Sequence, residues 1–311
     1  MVYQIETRGP ISTESKEAAT ASQLAIVTMT FYPKWYSGEI TDDKNDPRKV
    51  DKIRGDLALR TVKSGVKLGY QVVVTEGGSC QEFRQALGEI IGAKIVDQEE
   101  KGMAAGRRQG YVVASHLSNA KAIMWTEPEK APLITDQLLH IAAQVIRGEA
   151  DVVVPHRTQA GFDSLPPEQT RFARDKFNPK FRQILERYAG VKNVDDFDME
   201  FGPKIFRNDP EILKYFLSKY VYTERHEFGI KVKPEGWGNS LTLPIADMIK
   251  DGKRVLSIDV PYIHPPEQTA IESGDPNFNN KRRDQYNDQM LTLIGFLLDK
   301  KAQKTPDFFY H

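Results

Sequence analysis

The sequence predicts an α/β fold built on a doubly wound, mostly parallel sheet. Five short apolar runs occur in the first half of the chain, at residues 24–30, 70–75, 93–96, 121–125 and 151–154. Each run follows or precedes a helical pattern of apolar residues. Strands and helices that alternate in this way form a parallel sheet with right-handed crossovers, and ligands bind beyond the carboxyl ends of its strands.

The helices of this first half are predicted from apolar residues three or four positions apart. Val50, Ile53 and Leu57 mark the first helix, and Gly69 ends it just before the second strand. Two later helices show the same spacing, one at Phe83, Leu87, Ile90 and Ile91, and one at Ile134, Leu138, Ile141 and Val145.

Beyond Pro155 the regular alternation stops, and an irregular C-terminal half is expected. We predict helices near residues 181–188, 210–220 and 241–250, strands at 203–207 and 254–260, and a C-terminal helix through Leu298. No linker rich in Gly, Ser or Pro separates the halves, so residues 23–311 are expected to form one domain after a flexible tail at 1–22. Its two halves are residues 23–155 and 156–311.

Composition narrows the class of protein. Forty-three basic residues balance 43 acidic ones in 311 residues, so no net charge draws the chain to nucleic acid or to an anionic membrane. No run reaches the roughly 18 apolar residues of a membrane span, and the N-terminus lacks the apolar segment of a signal peptide. The single Cys80 excludes an internal disulfide and a multi-cysteine metal site. These features predict a cytoplasmic protein.

Five segments, in chain order, resemble motifs of the GT-A glycosyltransferases, the family-two-like nucleotide-diphospho-sugar transferases. Residues 72–79 read VVVTEGGS and are similar to the family turn VVVDGGSxD, and residues 123–129 read IMWTEPE, where the family has an apolar run and then DxD. The other segments are KGMAAGRRQG at 101–110, GEADVVVPHR at 148–157 and FGPKIFRN at 201–208, similar to KGxxxARxxG, GxADVVxGSR and SGxKxFRR. The resemblance spans roughly residues 24–268 and implies a GT-A, Rossmann-like fold.

The resemblance also implies a reaction, the transfer of a sugar from a nucleoside diphosphate sugar to an acceptor hydroxyl. A divalent cation, Mn²⁺ or Mg²⁺, would be held by Glu127 and Glu129, with His264 as a third ligand late in the chain. Two departures bear on this expectation. Glu-Pro-Glu replaces Asp-x-Asp, and Glu76 replaces the aspartate of the second strand. The longer side chains move the ion, and Pro128 stiffens the connection, so metal dependence stays open.

The remaining site residues follow from the same resemblance. Residues 23–155 would bind the nucleotide sugar and residues 156–311 the acceptor, which is a small molecule, a glycan or a glycoside; a homodimer is left open. The nucleotide-binding candidates are Thr28, Thr30, Tyr32, Glu76, Gly77, Gly78, Lys101, Arg107 and Arg108. The candidates for a general base are Asp198, Glu200 and Glu235, and those for acceptor contacts are Asp196 and Trp237.

Two other functions remain open from the sequence. A nucleotidyltransferase would share the sheet, but residues 28–33 contain no glycine-rich loop for a triphosphate. A degenerate protein that binds sugar nucleotides without turnover would explain why both acidic motifs are altered. The nucleotide base, the donor sugar, the acceptor and the stereochemistry cannot be read from these residues.

Overall fold

A computed structural model describes residues 19–41, 43, 46–135, 137–192, 194–221, 235–236, 238–273, 276–298 and 303–306 of the chain. The strands are β1 (Leu24–Thr30), β2 (Gln71–Glu76), β3 (Ala93–Asp97), β4 (Ala122–Trp125), β5 (Val152–Arg157), β6 (Lys204–Arg207), β7 (Ser218–Val221), β8 (Val255–Val260) and β9 (Gln303–Pro306). The helices are α1 (Lys49–Lys67), α2 (Gln81–Gly88), α3 (Met103–Ser115), α4 (Gln137–Ile146), α5 (Gln159–Asp163), α6 (Pro167–Phe172), α7 (Asn178–Ile184), α8 (Pro210–Leu217), α9 (Asn239–Lys250), α10 (Pro266–Glu272) and α11 (Pro276–Leu298). Short 3-10 turns lie at Ala21–Gln23 and Ala131–Leu133, and π-helical turns lie at Ala173–Phe177 and Leu185–Ala189.

Seven strands form one sheet in the order β3-β2-β1-β4-β6-β5-β8. Strand β6 runs antiparallel to both of its neighbours, and the other neighbouring pairs are parallel. The predicted doubly wound, mostly parallel sheet is therefore confirmed. None of the helices in the described part of the chain is long and apolar enough to cross a bilayer.

The antiparallel strand β6 decides which segments meet at the site. In an antiparallel pair the start of one strand lies beside the end of the other. Trp125, the last residue of β4, pairs with Lys204, the first residue of β6. The segment that leads into β6 thus arrives where the chain leaves β4. In the parallel pair of β5 and β8, Arg157 lies opposite Val260, so the residues after both strands also meet at this edge.

Small residues let helix α3 pack closely on the sheet. A Cβ atom at Gly110 would overlap the side chain of Val27 on β1, and one at Gly106 would overlap Met29. On the same side of the sheet, Phe206 of β6 stacks on Phe216 of α8 with ring centroids 3.8 Å apart. These contacts fix α3, and with it the polar residues that it carries, against the carboxyl half of the sheet.

In the first half of the chain, the helix marked by Phe83 to Ile91 ends at Gly88, and the helix marked from Ile134 begins at Gln137.

Two predicted helices of the C-terminal half also differ from the structure. The helix expected at 210–220 ends at Leu217, because residues 218–221 pair with β9 as an antiparallel ribbon. That partner lies more than 80 positions later, so local spacing gives no sign of it. The helix expected at 181–188 starts earlier, at Asn178, and continues through the π-helical turn Leu185–Ala189. Trp237 and most of the tail at 1–22 lie outside the described residues.

Candidate functional site

The turn after β2 is organised by the Glu76 carboxylate. Glu76 is buried, and its oxygens accept hydrogen bonds from the backbone N–H of Gly78 and of Ser79, the second at 2.7 Å. The N–H of Gly77 donates to the carbonyl of Thr30 on β1 at 2.8 Å. Gly78 has φ +102°, a conformation that strongly favours glycine. Glu76 therefore shapes a tight turn at the sheet edge, where backbone approaches a bound nucleotide in folds of this type.

Glu129 is held by two partners, one from the loop after β1 and one from α1. The hydroxyl of Tyr32 donates to its Oε1 at 2.9 Å, and Arg54 Nε lies 2.8 Å from the same oxygen. Burial raises the pKa of Tyr32, and the negative charge of Glu129 raises it further, so the phenol stays protonated and donates. Glu129 is 3% exposed. Its charge is thus compensated inside the protein.

Glu127 is placed differently, although it is only two residues away. Its Oε2 is buried and accepts no hydrogen bond from the residues that the structure describes. The carboxylate lies against Gly202, where a Cβ atom would overlap it. This contact follows from the pairing of β4 with β6, which brings residues 201–203 beside the end of β4. A buried carboxylate oxygen without a donor is free to accept one from a ligand.

Three cationic side chains surround Glu127. Arg107, Lys130 and Lys204 each interact electrostatically with its carboxylate. Arg107 is 1% exposed, stacks over the Trp125 ring at 4.6 Å and donates to Ser240 Oγ at 2.5 Å.

The two lysines of this group differ in their other contacts and in their exposure. The Lys130 ammonium lies 5.2 Å from the centroid of the Tyr262 ring and hydrogen-bonds with that tyrosine. Lys204 is fully buried and donates to the carbonyls of Phe201 and Pro203. Burial lowers the pKa of Lys204 to about 8, although the nearby carboxylates oppose the shift. Lys130 is only partly buried and is therefore the lysine that a ligand can reach.

Asp198 forms a buried ion pair with Arg157 at the end of β5. Arg157 Nε and Nη2 contact its two oxygens at 2.6 and 2.9 Å, and the N–H of Arg157 adds a bond of 3.3 Å. Burial alone would raise the pKa of Asp198, but the guanidinium outweighs it and holds the pKa below its ordinary value. Both oxygens of Asp198 are therefore engaged by the protein.

The other predicted acids differ in burial and in the partners of their carboxylates. Burial raises the pKa of Glu200, against the opposing charges of Arg282 and Arg157. Glu235 is exposed and pairs with Arg108 at 2.6 Å. The side chain of Asp196 is exposed as well. Among these acids, Glu200 best combines burial with an environment that makes a carboxylate basic.

His264 lies at the same edge of the sheet but is turned toward other partners. It is 3% exposed, its Nδ1 lies 3.2 Å from the Tyr262 hydroxyl, and its Nε2 lies 3.5 Å from Glu272 Oε2. The Lys130 charge also acts on the imidazole. The positive charge of Lys130 therefore opposes a further cation at the imidazole.

The three predicted metal ligands do not converge as they stand. Among the described residues, no group of three or more His, Cys, Asp or Glu side chains is arranged to hold a metal ion. Glu129 is committed to Arg54 and Tyr32, and His264 faces Glu272. Among the described residues, Glu127 Oε2 accepts no hydrogen bond, and both partners of Glu129 contact its Oε1. These donors do not fit a shared divalent ion in this arrangement, and the metal site stays a prediction.

The remaining nucleotide-binding candidates occupy the expected edge or its surroundings. Thr28 and Thr30 are buried on β1, Lys101 is exposed before α3, and Arg108 is buried on α3. Four charged residues of the site were not singled out from the sequence: Arg54, Lys130, Arg157 and Lys204. Lys130 directly follows the acidic motif, and Lys204 lies inside the segment 201–208, so their positions within the motifs could have indicated them.

No protein-family model matches the chain, and no curated protein matches it in sequence. Solved structures do resemble it. Glucosyl-3-phosphoglycerate synthase from Mycobacterium tuberculosis, in complex with Mn²⁺, UDP and glucosyl-3-phosphoglycerate, superposes with a TM-score of 0.51 at 11% identity, covering 90% of this chain and 80% of that one. The same enzyme with Mn²⁺, UDP-glucose and phosphoglyceric acid gives 0.50 at 12% identity, covering 93% and 87%. The protein described here therefore has the GT-A-like α/β fold of this nucleotide-sugar enzyme.

Proposed function

We propose that this chain is a glycosyltransferase that moves a sugar from a nucleoside diphosphate sugar to an acceptor hydroxyl. The proposal rests on the side chains that lie around Glu127. A buried carboxylate oxygen that accepts no hydrogen bond from the described residues interacts with Arg107 and Lys130 at the carboxyl end of a central strand. Cations at this edge suit a diphosphate, and a free carboxylate oxygen suits a sugar hydroxyl.

The nucleoside half of the donor is assigned to the ends of β1 and β2. The Glu76 turn exposes backbone at Gly77 and Gly78, and the aromatic loop that begins at Phe31 forms the wall beside it. A base that stacks on this wall would leave its diphosphate directed toward α3 and the end of β4. Solved structures of the same fold with bound UDP support this assignment.

In the reaction, the bond between the anomeric carbon and the diphosphate oxygen breaks, and the acceptor oxygen forms a new bond to that carbon. The acceptor proton passes to a base, and the nucleoside diphosphate leaves. We assign the base role of an inverting reaction to Glu200, because Asp198 is bound on both oxygens by Arg157 and Glu235 is paired with Arg108.

Glucosyl-3-phosphoglycerate synthase binds Mn²⁺ with UDP, which supports a divalent cation among proteins of this fold. If such an ion binds here, it would supply charge neutralisation on the leaving diphosphate, with Glu127 as the available ligand. Glu129, whose Oε1 contacts Arg54 and Tyr32, and His264, whose Nε2 lies 3.5 Å from Glu272, would have to turn to join it.

The proposal is tested by a binding screen followed by a turnover assay. Thermal unfolding is measured with UDP, GDP and their common sugars, with and without Mn²⁺, because a ligand that binds the folded state raises Tm by mass action. Release of nucleoside diphosphate then reports transfer or hydrolysis. Glu127→Gln should abolish release, whereas the control Glu89→Gln, at the exposed end of α2, should not.

Three outcomes separate the candidate functions. Binding with release of diphosphate supports the transferase. Binding without release from any sugar donor indicates a degenerate sugar-nucleotide-binding protein. Stabilisation by nucleoside triphosphates rather than diphosphates would favour a nucleotidyltransferase and refute the proposal.

A further inference from the structure

We infer that Lys130, rather than a divalent metal ion, neutralises the diphosphate of the donor in this protein. This inference rests on the proposed function and concerns how the same site works. The acidic motif at 127–129 suggests metal ligands. The charges of the side chains that the fold places around this motif do not.

Local charge balance opposes a divalent cation near Glu127. The charge of Glu129 is compensated by Arg54, and that of Asp198 by Arg157. The two other acids, Glu127 and Glu200, have Arg107, Lys130, Lys204 and Arg282 as electrostatic partners. Like charges repel strongly at short range in a partly desolvated site, so a divalent ion would meet a centre that is already positive. A diphosphate, which carries negative charge, would be attracted by the same centre.

Lys130 is placed to meet a diphosphate, whereas Lys204 is not. Lys204 is fully buried and bonded to two backbone carbonyls, so it acts on the position of Glu127 rather than on a ligand. Lys130 is partly exposed, and the Tyr262 and Phe201 rings lie 5.2 and 5.8 Å from its ammonium. The attraction of the ring faces offsets part of the hydration that the ammonium loses on burial, and its N–H groups remain able to donate to phosphate oxygens.

The chemistry of transfer then needs no metal. Lys130 stays protonated throughout and donates hydrogen bonds to the diphosphate as negative charge builds on it during cleavage of the glycosidic bond. Arg107, which is held over the Trp125 ring and bonded to Ser240, adds a second positive charge that interacts with Glu127. Oriented donors that act on developing charge are an effective form of transition-state stabilisation.

The test compares Lys130 variants in the presence and absence of metal. Binding of UDP and GDP is measured by calorimetry in EDTA and again with Mn²⁺, and release of diphosphate from the sugar donor is measured under both conditions. We expect wild-type binding and turnover to persist in EDTA. Lys130→Gln should lower turnover about 100-fold, the usual effect of removing one such donor, and weaken diphosphate binding, and Lys130→Arg should restore much of both.

A matched control is Lys250→Gln. Lys250 also lies near an aromatic ring, 5.7 Å from Phe296, but it is exposed at the end of α9, at the opposite edge of the sheet. Its replacement should change neither measurement. Tm values of all variants show whether a loss of binding is simply a loss of folding.

The alternative results overturn the inference in distinguishable ways. Binding and turnover that vanish in EDTA and return with Mn²⁺ would establish a metal-dependent transferase, leaving the proposed function intact and refuting the role of Lys130. Metal-free turnover that is unchanged in Lys130→Gln would refute the same role. Failure of the wild type to bind any nucleoside diphosphate would refute both the proposed function and this inference.

Discussion

Replacing Asp198 by Asn tests whether this candidate base supports the fold or the chemistry. The structure places it in a fully buried pair with Arg157, with guanidinium contacts of 2.6 and 2.9 Å. Removing one partner of such a pair leaves the other charge buried and uncompensated, which costs about 3–5 kcal/mol. For a chain of this length the unfolding entropy is about 0.65 kcal/mol per degree, so Tm should fall by about 5–8 °C.

The pH dependence gives this prediction a second signature. The pKa of Asp198 is lower in the folded protein than its ordinary value of 3.8. Its contribution to stability is therefore fully present above about 3.8 and is lost as the pH falls through the folded pKa. The difference in Tm between wild type and Asp198→Asn should be constant near neutrality and should shrink only below pH 3.8.

Two further variants control the assay, which is thermal unfolding followed by circular dichroism. Asp259→Asn removes an aspartate from an exposed pair with His156 at 3.0 Å, and exposed pairs contribute less than about 1 kcal/mol. Adding Arg157→Met to Asp198→Asn removes the uncompensated guanidinium charge and should recover part of the lost stability. If Asp198→Asn unfolds within about 1 °C of wild type yet has lost turnover, the structural reasoning is refuted and Asp198 is the base.

Three other predictions concern the site itself. Gly202→Ala places a methyl group against the Glu127 carboxylate and should reduce turnover at least as much as Glu127→Gln. The assay is release of nucleoside diphosphate, and full activity in both variants would contradict the site assignment. Glu76→Ala removes the acceptor of two turn amides and should weaken nucleoside diphosphate binding about tenfold or more, measured by calorimetry, and unchanged affinity would show that the turn does not touch the nucleotide. Burial raises the pKa of Glu200, so turnover that needs its ionised form should fall as the pH drops through a value above 4.5. Glu200→Gln should remove this acid limb from the pH profile of turnover. An unchanged profile would exclude Glu200 as the base.

The sequence alone determined the architecture of the first half and the edge at which the site lies. The apolar runs that end at Thr30, Thr75 and Trp125 became neighbouring parallel strands, because their pattern is local and each run carries its own turn signals. Parallel strands place their carboxyl ends together, so the polar residues that follow them meet without any further information.

Tertiary structure alone decided which charges face one another. In the sequence, Glu127 and Glu129 are equivalent candidates for metal ligands. The fold pairs Glu129 with Arg54 and leaves an oxygen of Glu127 without a donor among the described residues. Lys204 reaches Glu127 only because β6 enters the sheet antiparallel beside β4. Strand order and direction depend on contacts between segments that are distant in the sequence, and the local pattern of residues does not encode these contacts.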